Sequence, residues 1–184
     1  IPLADSPPTF ETPRLLLVPV DLPFACAVGE GGDTLTNLLG ASVADGFPDS
    51  PNMYEYVAAQ LRTDPSLSWW LAWSIRDRAT GTVVGDIGFH GPPDERGSVE
   101  IGYSIAPTWR RRGLATEALR AFLAWALQRP EITAVRAETE TSTHASIAIL
   151  RRLGFEETGT YIDATDGAEL ITFVSDPRTG ALKS

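Results

Sequence analysis

Cysteine is almost absent from this chain. Cys26 is the only one, which rules out an intramolecular disulfide and makes a reducing, cytoplasmic setting the expectation. Histidine is nearly as scarce, with only His90 and His144. Neither sits in a His-Glu-x-x-His pattern and no Cys-x-x-Cys pair exists, so no metal site is expected. No apolar run approaches the ~20 residues of a membrane-spanning helix. Ile1 to Pro8 also lack the basic start and apolar block of a signal peptide. No Gly-Lys-Ser/Thr follows a glycine turn, which excludes a Walker-type nucleotide loop. Positive charge is short: 15 Lys and Arg face 24 Asp and Glu, a net −9. Nucleic-acid binders are normally basic, so neither nucleic acid nor membrane is an expected partner. The acidity serves solubility, and it also favours a cationic ligand such as an amine.

Internal repeats and low-complexity linkers are also missing. The 184 residues, 43% of them hydrophobic, suit one domain with a real core. That domain is expected to span 1–184, with its core at about 10–175 and loose ends over residues 1–9 and from Asp176 onward.

Periodicity predicts the elements in between. Arg14 to Val20 reads as a strand. Tyr54 to Arg62 reads as a helix, with Tyr54, Val57, Ala58 and Leu61 on one face. Gly29 to Asp49 is the least readable stretch. Trp69 to Arg76 and Thr82 to Phe89 read as a hairpin around Asp77–Gly81. Ser98 to Ala106 is a strand that Pro107 ends. Ala115 to Gln128 is an amphipathic helix that places Ala115, Ala118, Leu119, Phe122 and Ala126 together, stopped by Pro130. Ala134 to Thr139 is a strand. Ser142 or Thr143 caps a helix that runs to Leu153 and stops at Gly154. Two further strands cover Glu156 to Ile162 and Ala168 to Val174. The sum is an α/β (α+β) fold: a mixed, mostly antiparallel central sheet of about seven strands, flanked by helices. The strand–helix–strand unit from Ser98 to Thr139 supplies its same-sheet crossover.

The segment carrying most chemistry is Arg110-Arg111-Arg112-Gly113-Leu114-Ala115-Thr116-Glu117, between a strand and a helix. Such a turn aims successive backbone N–H groups into one volume at the positive end of a helix dipole, which makes an anion cradle. Gly113 and Ala115 leave room for a phosphate to approach the backbone.

Val99 to Pro107, followed by Arg110-x-x-Gly113-x-Ala115-Thr116-Glu117, resembles the GCN5-related N-acetyltransferases (GNAT), whose phosphate loop is Gln/Arg-x-x-Gly-x-Gly/Ala. Thr143-His144-Ala145-Ser146 with Leu150 to Phe155 is similar to the family's Asn-x-x-Ser and Leu-Gly-Phe segments. Glu11-Thr12-Pro13-Arg14-Leu15 is similar to the start of the RimJ/RimL branch. The resemblance spans roughly residues 10–175. It implies the GNAT fold, with a splayed strand pair, and an N-acetyltransferase acting in the cytoplasm. Acetyl-coenzyme A would be the co-substrate and no metal would be needed. Arg110, Arg111, Arg112, Gly113, Leu114, Ala115 and Thr116 would bind the pyrophosphate. The main chain at Ile105 would pair with the pantetheine arm, and the thioester would enter where that strand splays from Ala134–Thr139. A backbone N–H there would stabilise the oxyanion, worth about 3 kcal/mol in other acyl-transfer enzymes. The acceptor would be a protein N-terminus or a small-molecule amine, attacking directly in a ternary complex. The branch also allows a homodimer.

Direct transfer requires a deprotonated amine, a polarised carbonyl and a proton for the leaving thiolate. Glu100, on the splayed strand, reads either as the base or as a paired structural carboxylate. Ser146 matches the family serine near the sulfur, where it could serve the thiolate. Thr143 replaces the family's Asn and could reach a pantetheine amide with fewer donors and acceptors. Leu150 stands where many relatives carry an acidic tyrosine, so that route is closed and the proton falls to Ser146 or solvent. His90 is an alternative base and Asp86 a minor one. Trp69, Trp70, Trp73 and Tyr161 read either as core or as pocket wall. The rival reading is an acyl-coenzyme A-binding sensor or assembly module without catalysis.

Overall fold

The computed structural model describes residues 9–31 and 33–175. Of the loose ends expected over residues 1–9 and from Asp176 onward, 1–8 and 176–184 lie outside the described residues. The chain forms two compact units: residues up to Gly88 together with Tyr103–Ala121, and Phe89–Gly102 together with the chain from Phe122 onward.

In the first unit, β1 (Phe10–Glu11) pairs antiparallel with β2 (Leu15–Pro19). Strand β2 alternates as its sequence suggests: Leu15 and Leu17 are fully buried and Leu16 and Val18 only partly. It pairs antiparallel with β3 (Ala72–Asp77), which forms the expected hairpin with β4 (Val83–Phe89). All seven residues of β4 are buried. Trp69 and Trp70 do not continue β3 backwards as the aromatic run suggested. They end a 3-10 turn over Pro65–Trp69, opened by Pro65 and by the Asp64 side chain, which accepts from Ser66 N. Trp73 is core, 0% exposed and stacked on Phe10 with ring centroids 4.9 Å apart.

Three helices occupy Leu22–Glu30, Thr34–Leu39 and Pro51–Thr63, and of these only the second lies wholly within the poorly readable Gly29–Asp49 stretch. Helix α1 (Leu22–Glu30) is capped by Asp21, whose carboxylate accepts from Phe24 N at 2.9 Å, with Pro23 in its first turn. Helix α2 (Thr34–Leu39) follows. Helix α3 (Pro51–Thr63) buries the predicted face of Tyr54, Val57, Ala58 and Leu61. These side chains join Val20, Phe24, Leu35, Leu71 and Val83 in one apolar cluster.

Strand β5 (Ser98–Ile105) and helix α4 (Leu114–Ala126) contribute to both units. Of the face predicted for α4, Ala118, Leu119, Phe122 and Ala126 are fully buried and Ala115 is half-buried. In the second unit Phe122 and Trp125 pack on Phe89 with centroids at 5.0 and 6.3 Å. There β5 pairs in parallel with β6 (Ala134–Glu140), as the crossover rule requires. The ladder runs only from Ser98↔Ala134 to Ile101↔Ala137, although both strands continue. Helix α5 (His144–Arg152) buries Ile147 and Leu150. Strands β7 (Glu156–Ile162) and β8 (Glu169–Ser175) are antiparallel, and β8 also pairs with β6.

The strand order is β1-β2-β3-β4-β5-β6-β8-β7. This is a mixed, mostly antiparallel sheet with helices, as the sequence indicated. Among the described residues it has eight strands rather than about seven, because the two residues of β1 are too few to show a period.

Candidate active site

The anion cradle is built from local geometry. After β5, Pro107–Trp109 makes one 3-10 turn and the chain then reaches α4. Gly113 caps α4 with its carbonyl, which accepts from Glu117 N at 3.1 Å. The amides of Leu114, Ala115 and Thr116 therefore open the helix with no helical acceptor ahead of them. With glycine as the cap, no side chain competes for these donors. Gly113 has φ 75°, a region costly to other residues. An ideal Cβ there would meet Arg14 Nη2 at 3.6 Å and nothing closer, so main chain is not crowded at this point and the neighbouring group is a cation.

The three arginines do different things. Arg110 Nε donates to the Ile105 carbonyl at 2.7 Å and its Nη2 meets Asp49 Oδ1 at 3.2 Å. Arg112 Nη2 donates to the Thr108 carbonyl at 3.0 Å, and its guanidinium lies 4.7 Å from the centre of the Trp109 ring. Both side chains hold the loop's own main chain. Arg111 is exposed and, with φ 62°, is the one non-glycine residue in the left-handed region among those described.

A bracing contact not assigned from the sequence comes from the Thr12-Pro13-Arg14 segment. Arg14 Nε donates to Glu117 Oε2 at 2.7 Å, and Arg14 N and Thr12 Oγ1 donate to Glu117 Oε1 at 2.9 and 2.6 Å. Arg14 Nη1 also donates to the Arg112 carbonyl at 2.8 Å. Burial alone would raise the Glu117 carboxyl, but the bonds from Thr12 and Arg14 outweigh it and hold the group below its ordinary range. The signal in the sequence was the Glu-Thr-Pro-Arg-Leu likeness, which carries no hint of the partner.

Glu100 and His90 come together in the second unit. His90 Nδ1 lies 2.9 Å from Glu100 Oε1, and His90 N donates to the Glu100 carbonyl at 2.9 Å. The hydrogen bond between the side chains holds the Glu100 carboxyl below its usual range and raises the imidazole above 6.5. Tyr161, on β7, is 44% exposed, and its hydroxyl donates to Glu138 Oε2 at 2.8 Å. That bond raises the phenol.

Ser146 lies half-buried in the first turn of α5, with no hydrogen-bond partner for its hydroxyl among the described residues. The capping bond expected from Ser142 or Thr143 does not form. Ser142 Oγ donates to Glu140 Oε2 at 3.0 Å, and Thr143 is exposed and caps α5 through its carbonyl alone, which accepts from Ile147 N at 3.2 Å. Leu150 is 1% exposed, a packing residue.

Asp86 on β4 is 7% exposed and already committed: Tyr54 Oη donates to it at 3.0 Å and Ser104 Oγ at 2.8 Å. Burial raises its carboxyl above the usual value, and pushes the Tyr54 phenol far up. Among the described residues, no group of three or more His, Cys, Asp or Glu side chains is placed to hold a metal ion. No helix among them is long and apolar enough to cross a membrane.

Comparison with known proteins identifies the family. The family model described as "Acetyltransferase (GNAT) domain" matches residues 44–156. The chain is 30% identical over 148 residues to the uncharacterized N-acetyltransferase YjdG of Bacillus subtilis (strain 168), covering 79% of this chain and 88% of that one. Two solved structures share the fold. The ribosomal-protein-S5-alanine acetyltransferase of Vibrio fischeri has a TM-score of 0.70 at 13% identity, over 96% of this chain and 99% of that one. RimL, a ribosomal L7/L12 alpha-N-protein acetyltransferase solved with coenzyme A, has a TM-score of 0.69 at 17% identity, over 92% and 98%. The chain therefore belongs to the GNAT family and is an acetyltransferase.

Proposed function

We propose that this acetyltransferase uses acetyl-coenzyme A and transfers its acetyl group to a primary amine by direct attack in a ternary complex. The observation that carries the reading is the start of α4, where the Gly113 carbonyl caps the helix and the three amides after it have no helical acceptor, with Arg14 Nη2 close to Gly113 and Arg111 exposed in the same loop. These residues fit a pyrophosphate: the donors are backbone groups at a helix N-terminus, and the side chain nearest to Gly113 is the cationic Arg14. When bound, acetyl-coenzyme A supplies the activated acetyl thioester.

The chain's own groups then have separable roles. The amides of Leu114, Ala115 and Thr116 hold the phosphates, and Arg111 adds a cation. Arg110 keeps the end of β5 in place through the Ile105 carbonyl, which retains one lone pair for a pantetheine amide. Beyond Ile101, β5 has left its ladder with β6, and its main chain there serves the thioester. The Ser146 hydroxyl, with Thr143 at the same helix start, serves the leaving sulfur. The acceptor is a protein N-terminus or a small-molecule amine. The solved RimL, a ribosomal L7/L12 alpha-N-protein acetyltransferase in complex with coenzyme A, shares this fold, which supports a RimJ/RimL-like role for this chain.

Titration calorimetry with acetyl-coenzyme A, paired with a thiol-release screen over peptide N-termini and small amines, tests the reading. Binding that Gly113→Trp abolishes, with thiol release for at least one amine, is the expected result. Unchanged affinity in Gly113→Trp would remove the loop from the site.

A further inference from the structure

We propose that His90 is the base that takes the proton from the acceptor amine, and that Glu100 positions it rather than acting as the base itself. The inference rests on the acetyl-transfer reading above and names the proton acceptor within it.

The geometry is that of an oriented imidazole. Glu100 stands on β5 between buried Val99 and Ile101. Its carboxylate meets Nδ1 at 2.9 Å. A carboxylate at Nδ1 fixes the Nδ1–H tautomer, which leaves the lone pair of the neutral ring on Nε2. The backbone reinforces the pairing, since His90 N donates to the Glu100 carbonyl at 2.9 Å. His90 follows β4 directly, so a rigid strand end carries it.

Nε2 is delivered to one place. An ideal Cβ on Gly102 would lie 3.0 Å from His90 Nε2, so the ring edge lies over the Gly102 backbone. Gly102 is the first residue of β5 after the ladder with β6 ends at Ile101↔Ala137. The basic nitrogen therefore sits over the stretch of β5 that the proposed function gives to the thioester.

The charges around the ring suit a base that receives a proton from a cation. Glu100 on β5 and Glu138 on β6 both favour the imidazolium, while Arg136 on β6 acts on Glu100. Tyr161 on β7 is bonded to Glu138 and stays a neutral donor. Glu100 is the poorer acceptor of the two, since its bond to His90 stabilises the carboxylate. Asp86 is closed off by Tyr54 and Ser104.

The step balances. R–NH3+ gives one proton to His90 Nε2. The freed nitrogen pair forms the C–N bond to the acetyl carbon as the C–S bond breaks, and the sulfur leaves with its electron pair. The second N–H proton goes to the thiolate, and the imidazolium returns its proton to solvent.

The test compares wild type, His90→Gln, His90→Ala and Glu100→Gln. It uses acetyl-coenzyme A calorimetry and kcat against pH at saturating amine, with the amine found in the thiol-release screen. His90→Gln should lose about 100-fold or more in kcat, with the cofactor Kd unchanged and the rising limb of the pH profile gone. Added free imidazole should restore part of the turnover of His90→Ala. Glu100→Gln should move the rising limb to lower pH, an effect a merely structural carboxylate would not have. A wild-type pH profile in His90→Gln overturns the inference and leaves the transferase reading standing. Failure of the wild-type protein to bind acetyl-coenzyme A overturns both.

Discussion

Arg14 and Glu117 are 103 residues apart in sequence, yet two of the Arg14 nitrogens, the backbone N and Nε, hydrogen-bond both carboxylate oxygens of Glu117. Nη2 also meets Glu117 Oε2 at 2.7 Å, and Nη1 holds the Arg112 carbonyl in the loop before α4. Strand β2's lead-in is thereby tied to the first turn of α4. The clasp ties the loop to a segment outside it, whereas Arg110 and Arg112 bond main chain close by in sequence.

Removing either end of the clasp should loosen the cradle. Arg14→Ala or Glu117→Ala is expected to raise the acetyl-coenzyme A Kd about tenfold, about 1.4 kcal/mol. Arg14→Lys should rescue little, because a single ammonium cannot serve Glu117 and the Arg112 carbonyl together. Acid should act the same way. The Glu117 carboxyl is depressed in the folded chain, so its contribution is present above the ordinary value of 4.5 and lost as pH falls through the lowered one. Calorimetry on the three variants decides; equal Kd values throughout would separate the clasp from the cofactor.

The Asp86 carboxyl has the opposite sign. Its folded value lies above the ordinary 3.8 because burial disfavours the charge. Between 3.8 and the raised value the folded chain holds a proton that the unfolded chain has released, so stability falls as pH rises through that window. Asp86→Asn should flatten this slope and be neutral or stabilising at pH 7, since the amide can still bond Tyr54 and Ser104. Asp86→Ala orphans the buried Tyr54 hydroxyl and should cost about 1–3 kcal/mol. Urea unfolding of both variants at a series of pH values reads the difference. A wild-type slope in Asp86→Asn would exclude this carboxyl as its source.

Gly85 marks a point of backbone contact. An ideal Cβ there would lie 2.2 Å from the Ser104 carbonyl oxygen and 3.0 Å from Ile105 Cδ1. The clash is with main chain, so no rotamer relieves it. Gly85→Ala should cost about 3 kcal/mol, a fall in Tm of roughly 6–12 °C for a chain of this size. Differential scanning calorimetry would show it, and an unshifted Tm would mean that β4 and the end of β5 can part freely.

Ser146→Ala probes the leaving sulfur. With its hydroxyl gone, kcat should drop roughly tenfold or more while cofactor affinity holds. Undiminished kcat would give the reprotonation step to solvent.

The elements that repeat a period over many residues were legible in the sequence. Helix α4 announced itself through Ala118, Leu119, Phe122 and Ala126, and β6 through Val135 and Ala137 alternating with Arg136 and Glu138. Helix α1 was not legible, because its apolar residues surround the axis. Its only clear signs were Asp21 and Pro23 at the start. Strand β1 has two residues and no period at all. Trp69 and Trp70 misled because aromatic residues favour strands, while Asp64 and Pro65 had already committed the chain to a tight turn. In the site, Gly113 was legible from local pattern. The Glu117 contacts to Thr12 and Arg14, and the lie of His90 over Gly102, depend on strand registers that no local pattern encodes.

Arg111 shows that the loop's shape and its charge are carried separately. At φ 62° this residue holds a conformation that glycine would adopt without strain, while its guanidinium is not tied back into the loop as those of Arg110 and Arg112 are. Replacing it with glycine would preserve the path of the chain and remove one cation. Under the acetyl-coenzyme A reading, that variant separates what this one cation adds to phosphate affinity from what the three amides supply, and added salt weakens both contributions.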